Sequence, residues 1–149
     1  MALIVQKYGG TSVADPDRIR AVADNVAITK RRGNDVVVVV SAMGKATDNL
    51  IALADSVSSK QSGREMDMLL TTGERQTAAL LSMALADRGV EAISYTGSQV
   101  GIITDTVHGK AKIVEVKGDR VRTAVAEGKV AVIAGFQGVS TDKEITTMG

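Results

Sequence analysis

Residues Val36 to Val40 are five valines in succession. A β-branched run this short, flanked by polar residues, is what a strand covered on both faces looks like. Leu3-Ile4-Val5, Val90 to Tyr95 and Val130 to Ala134 supply further apolar strands, with helical patterns between them. The hydrophobic fraction is 44% and the aromatic fraction 2%, so the core must be built from Val, Ile, Leu, Ala and Met. That suits helices packed on a parallel sheet, and 149 residues suffice for one domain with a sizeable core, or for a piece of a larger one.

The helices carry their own signals. Asp15-Pro16 gives a cap and a first-turn proline, and Ile19, Val22, Ala23 and Val26 repeat at helical spacing up to Gly33. Lys30-Arg31-Arg32 lies in the last turn, where positive charge complements the helix dipole. A second helix presents Leu50, Leu53, Ala54 and Val57 on one side. After a polar loop from Ser58 to Gly63, two helical pieces are predicted, one with Met66, Leu69 and Leu70, the next from about Thr72 to Arg88 with Leu80, Leu81, Ala84 and Leu85 inward. Met66 and Met68 read as core filler and its rim. Thr71-Thr72-Gly73-Glu74 between the pieces has capping-box spacing, which gives Glu74 a structural explanation. Ile102 to Thr104 and Ile113 to Val116 read as a β-ribbon turning through His108-Gly109-Lys110, with His108, the only histidine, in solvent. A short helix from Asp119 to Glu127 ends at Gly128.

Four loops follow apolar strands: after Tyr8, Val40, Tyr95 and Ala134, each with glycine and Ser, Thr or Gln. If the strands are parallel with right-handed crossovers, all four emerge at one carboxyl edge of the sheet. In Lys7-Tyr8-Gly9-Gly10-Thr11-Ser12 the paired glycines allow a tight turn and close approach of backbone to ligand, and the hydroxyls stand beside a helix start that favours anions. With the Lys7 charge this suggests a phosphate or carboxylate site, although the loop alone equally fits a simple turn with Lys7 in solvent. Thr47, at the start of the second helix, fits either a cap or a ligand contact.

Other classes are excluded by composition and motif. The net charge of +1 is dispersed, so neither nucleic acid nor a charged membrane is an expected partner. With no cysteine there is neither disulfide nor thiolate chemistry, in keeping with a cytoplasmic location, and no apolar run approaches membrane-spanning length. There is no G-x-x-x-x-G-K-[ST], and no G-x-G-x-x-G after the first strand with an acidic residue ending the second, where Ser41 stands instead. No His/Cys cluster offers a transition-metal site, and a Ser-His-Asp triad would need His108.

Taken in order, Lys7 to Ser12, Val40-Ser41-Ala42-Met43-Gly44, Thr72-Gly73-Glu74-Arg75, Tyr95-Thr96-Gly97-Ser98-Gln99 and Ala134-Gly135-Phe136-Gln137-Gly138 closely resemble the aspartate kinases of the amino acid kinase superfamily. The resemblance runs from Ala2 to Gly149. It implies a three-layer α/β/α sandwich with a mainly parallel sheet, and transfer of the ATP γ-phosphate, with Mg2+, to the side-chain carboxylate of L-aspartate. The product would be 4-phospho-L-aspartate, on the way to lysine, threonine, methionine and diaminopimelate. By resemblance Lys7 would stabilise the transferring phosphoryl group, Gly9, Gly10 and Gly44 would offer N–H donors to phosphate oxygens, and Ser41, Thr47 and Glu74 would hold the amino acid. No protein-bound metal site is expected.

There are departures. The family continues after Thr146-Thr147-Met148-Gly149 into an Arg-Gly-Gly-Ser-Asp motif, further strands and regulatory ACT domains, and Lys45-Ala46-Thr47-Asp48 differs from the paired threonines common there. The expectation is therefore the N-terminal part of a catalytic domain with a truncated sheet, not competent alone and prone to homo-oligomerise or self-associate. A related kinase acting on acetylglutamate or a nucleoside monophosphate, and a non-catalytic anion-binding or assembly module, are the alternatives.

Overall fold

In the computed structural model, which describes residues 2–148, β1 (Leu3–Tyr8), β2 (Asp35–Val40), β3 (Ala92–Tyr95) and β6 (Val130–Ala134) form one sheet in the order β1-β2-β6-β3, and every pair in it is parallel. The valine run explains the central position of β2. Val36, Val38 and Val40 point into a core made with α1 (Pro16–Arg31) and α3 (Gly63–Ala86), where Val26, Leu81 and Leu85 are fully buried. Val37 points the other way, to a second core with Tyr95, Ala131, Ile133 and α5 (Asp119–Ala126). Helices on both faces of a parallel sheet make the three layers expected, and burial of each such valine contributes about 1.5–3 kcal/mol.

Local chemistry sets the ends of α1. Asp15 accepts a hydrogen bond from the Arg18 N–H at 2.8 Å, and Pro16 opens the first turn.

Three sequence expectations are corrected. The two helical pieces between Ser58 and Arg88 are the single helix α3, capped by Ser62, whose hydroxyl accepts from the Glu65 N–H. No capping box forms at Thr71: the Thr71 and Thr72 hydroxyls turn back and donate to the Met68 and Leu69 carbonyls, so neither caps a new helix. Gly73 is instead a flat spot inside the helix, where a Cβ would come within 3.1 Å of the Ala42 methyl. Leu80 is exposed, while Leu81, Ala84 and Leu85 face the core as predicted. The glycine loop after Tyr95 is closed by a one-turn helix, α4 (Gly97–Val100), because Thr96 and Gln99 form a complete capping box.

A second sheet packs beside the first. It contains β4 (Ile102–Thr104) and β5 (Ile113–Val116), the expected antiparallel ribbon, joined through a parallel β4–β7 pair to β7 (Gln137–Ser140) and β8 (Ile145–Thr147). Gln137, expected in a loop, thus begins a strand and is buried: its amide donates to the Thr71 carbonyl at 3.0 Å. The remaining helix, α2 (Ala46–Val57), leans on α3 with Leu53 and Val57 exposed. On β1, at the free edge of the parallel sheet, Leu3 and Val5 are exposed. Among the described residues no helix is long and apolar enough to cross a membrane.

Candidate functional site

Parallel pairing puts the loops after β1, β2, β3 and β6 at one edge of the sheet, and two of them touch. The Ser41 N–H donates to the Tyr8 carbonyl at 3.2 Å, and the Gly44 N–H to the Gly10 carbonyl at 2.9 Å. The Gly44 N–H is therefore committed to the neighbouring loop, and Gly44 joins the two loops. The loop after β6 lies flush on β2 because Gly135 has no side chain: a Cβ there would meet a Val39 methyl at 2.2 Å.

Between this edge, α3 and the second sheet lies a cavity of roughly 380 Å3. It is lined by Ser41, Thr47, Glu74 and Phe136, by Asp67, Gly109 and Thr147, and by the apolar Met66 and Leu70. The structure thus brings together the three residues expected to hold an amino acid. Thr47 is the second residue of α2 and makes no side-chain cap there. The Ser41 and Thr47 hydroxyls have no hydrogen-bond partner among the described residues, so they are free to meet a ligand.

Glu74 is the electrostatic centre of the cavity. It is 8% exposed. Among the described residues its one hydrogen bond, at 2.9 Å, comes from the Phe136 N–H to Oε1. Burial pushes its carboxyl up to about 7, against the opposing pull of that N–H. A buried acceptor without a cation favours a ligand that brings one.

Asp67 stands two helical turns before Glu74 on the same face of α3 and is 1% exposed. It accepts from His108 Nδ1 at 2.8 Å, the Gly109 N–H at 3.2 Å, the Thr147 N–H at 3.1 Å and the Thr147 hydroxyl at 2.7 Å. An oxygen already accepting from two backbone donors assigns the proton to Nδ1 of His108. The expectation that His108 is a solvated turn residue is corrected, because this bond draws its ring onto α3 and leaves its side chain 22% exposed.

Lys7, Gly9, Gly10 and Gly44 lie outside the cavity lining. Lys7 still reaches its rim: Nζ sits 4.7 Å from the centroid of the Phe136 ring. Among the described residues Lys7 has no ion-pair partner.

Sequence reasoning missed Asp67, Thr147 and the part played by Phe136. One signal was available for Asp67, a carboxylate flanked by Met66 and Met68 and seven residues before Glu74. On a helix that spacing puts both acids on one face.

A family model described as the amino acid kinase family matches residues 2–149. An aspartokinase from Mycolicibacterium smegmatis is 58% identical over 150 residues, covering 100% of this chain and 36% of the relative. An aspartokinase from Mycobacterium tuberculosis is 57% identical over the same extent. The chain therefore spans about a third of the length of the curated relatives it matches. Among solved structures, the aspartate kinase from Synechocystis superposes with a TM-score of 0.81 at 50% identity, covering 99% of this chain and 24% of that one. E. coli aspartokinase III in complex with aspartate and ADP gives a TM-score of 0.82 at 23% identity, covering 100% of this chain and 44% of that one, which supports the fold.

Proposed function

The chain belongs to the amino acid kinase family, and from that premise we propose that it carries the aspartate site and the phosphoryl-transfer lysine of an aspartate kinase. The reaction is transfer of the γ-phosphate of ATP to the side-chain carboxylate of L-aspartate, giving 4-phospho-L-aspartate. The observation that carries this reading is the cavity that joins Ser41 and Thr47, with free hydroxyls, to the buried carboxylate of Glu74. An amino acid presents an ammonium group and carboxylates, and this donor set complements both. Similarity to aspartokinases over the whole chain supports aspartate as that amino acid.

The chemistry asks little of acid–base groups. A free aspartate side chain has a pKa of roughly 3.9, so it is an ionised nucleophile at neutral pH and needs no base. The obstacle is the approach of two anions and the charge on the transferring phosphoryl group, which positioning and cations overcome. In this reading Glu74 binds the substrate ammonium, Ser41 and Thr47 donate to its carboxylate oxygens, and Lys7 meets the phosphoryl oxygens. Gly9 and Gly10 offer backbone N–H groups, and Gly44 holds their loop against its own. Mg2+ enters with ATP as part of the substrate. Among the described residues no group of three or more His, Cys, Asp or Glu side chains is placed to hold a metal, and an ion coordinated by a triphosphate needs no such cage.

Calorimetric titration with L-aspartate tests this reading. L-aspartate is expected to bind, succinate, which lacks the ammonium, to bind at least tenfold more weakly, and Glu74→Gln to weaken aspartate by about tenfold or more, as loss of a charge-assisted bond predicts. Equal affinity for succinate and aspartate would refute the role of Glu74 and the reading with it.

A further inference from the structure

The contact between Lys7 and Phe136 has a physical logic beyond that reading, on which it rests. Lys7 is the penultimate residue of β1 and Phe136 follows β6, with β2 between the two strands. The lysine side chain must therefore cross the end of β2 to bring Nζ within 4.7 Å of the ring centroid. A free lysine side chain in water populates many rotamers, and fixing it costs entropy. Something must hold it.

A carboxylate would hold the ammonium but also neutralise it, and an incoming phosphoryl group would have to displace that partner. An aromatic face attracts a cation through its quadrupole and leaves the formal charge intact. We propose that Phe136 is a positioning residue, whose ring seats the Lys7 ammonium at the rim of the cavity while keeping its charge free for an anionic phosphoryl group.

The backbone of Phe136 is arranged for this task. Its N–H donates to Glu74 Oε1 at 2.9 Å, and its carbonyl accepts from the Met148 N–H at 3.1 Å. Gly135, pressed against Val39, fixes the approach of the loop. With both peptide groups tied, the backbone from which the ring projects is held in place. One residue thereby carries the carboxylate contact on its backbone and the lysine contact on its side chain, setting their relative positions.

Phe136 is the only phenylalanine in the chain. Biosynthetic replacement with 4-fluoro-, 3,5-difluoro- and 3,4,5-trifluorophenylalanine therefore weakens the face of one ring with little change of shape, which avoids reliance on Phe136→Leu. Two readouts follow: the NMR shift of the Lys7 ε-protons without ligand, assigned by their loss in Lys7→Gln, and the affinity for ADP. The expected result is an upfield Lys7 shift that declines along the series, with ADP affinity falling about three- to tenfold in step. Aspartate affinity should stay within about twofold, because the Phe136 N–H remains. An unshifted Lys7, or ADP affinity flat across the series, would overturn the proposal. Because the Lys7 shift is read without ligand, failure of the unsubstituted chain to bind aspartate would count against the kinase reading and not against the ring contact.

Discussion

Asp67 and Glu74 are two carboxylates on one face of one helix, buried to nearly the same degree and lining the same cavity. Their surroundings are opposite. Asp67 accepts four hydrogen bonds, from the ribbon turn and from β8, and so ties α3 to the second sheet. Among the described residues Glu74 accepts one, from the loop after β6, and burial raises its pKa to about 7. Similar burial thus gives two different objects: a saturated acceptor that organises structure, and an unsaturated one that favours a proton or a ligand cation. The difference comes from what faces each side chain. Two elements distant in sequence converge on Asp67, whereas the free hydroxyls of Ser41 and Thr47 share open space with Glu74.

The most forceful way to break the comparison is to remove the saturated member. Asp67→Ala leaves the Gly109 and Thr147 N–H groups, the Thr147 hydroxyl and His108 without their acceptor. Loss of a buried charged partner of this kind costs about 3–5 kcal/mol, read as a fall in the urea midpoint. A loss below about 1 kcal/mol would mean that Asp67 does not clamp the sheets.

Glu74 should behave in the opposite sense. Its folded pKa of about 7 lies above the ordinary value of 4.5. As pH rises, the unfolded chain therefore releases this proton first, and stability falls between the two values. Below about 4.5 the group costs nothing, and above about 7 its penalty is complete, on the order of 3 kcal/mol. Glu74→Gln should remove this slope, making the variant more stable than the parent at pH 8 while aspartate binding weakens about tenfold or more. Denaturant curves at pH 5 and pH 8 check it, and equal pH slopes in the two proteins would show that Glu74 does not carry the penalty.

These carboxylates also mark what could be read from sequence. The parallel sheet was legible because β2 and β6 are buried on both faces, which forces unbroken apolar runs such as Val36–Val40, and the sheet topology then brings the glycine loops to one edge. Ser41 and Glu74 stand within the ordered motifs and Thr47 in a stretch that departs from them, and the structure gathers all three around one cavity. Asp67 was not, because its partners His108 and Thr147 lie 41 and 80 residues away and leave no local pattern. The continuity of α3 was hidden for a related reason. Thr71 and Glu74 have the spacing of a cap, but in a helix that runs on without a break the Thr71 hydroxyl bonds back to the Met68 carbonyl. Strands β7 and β8 are short and polar, and they are strands because neighbouring strands complete their hydrogen bonds.

The smallest expected effect sharpens the comparison most, because it separates the acceptor from its donors. In His108→Ala, Asp67 keeps the Gly109 and Thr147 donors, so the clamp loses one hydrogen bond of four. That predicts a cost of about 1–1.5 kcal/mol, well short of the cost of removing Asp67 itself. His108→Asn places an amide donor near the position of Nδ1 and should recover to within about 0.5 kcal/mol of the parent. Urea midpoints for the three proteins decide the matter. If His108→Ala costs as much as Asp67→Ala, the imidazole rather than the carboxylate organises the junction. If alanine and asparagine are equally costly, packing of the ring, rather than its hydrogen bond, is what His108 supplies.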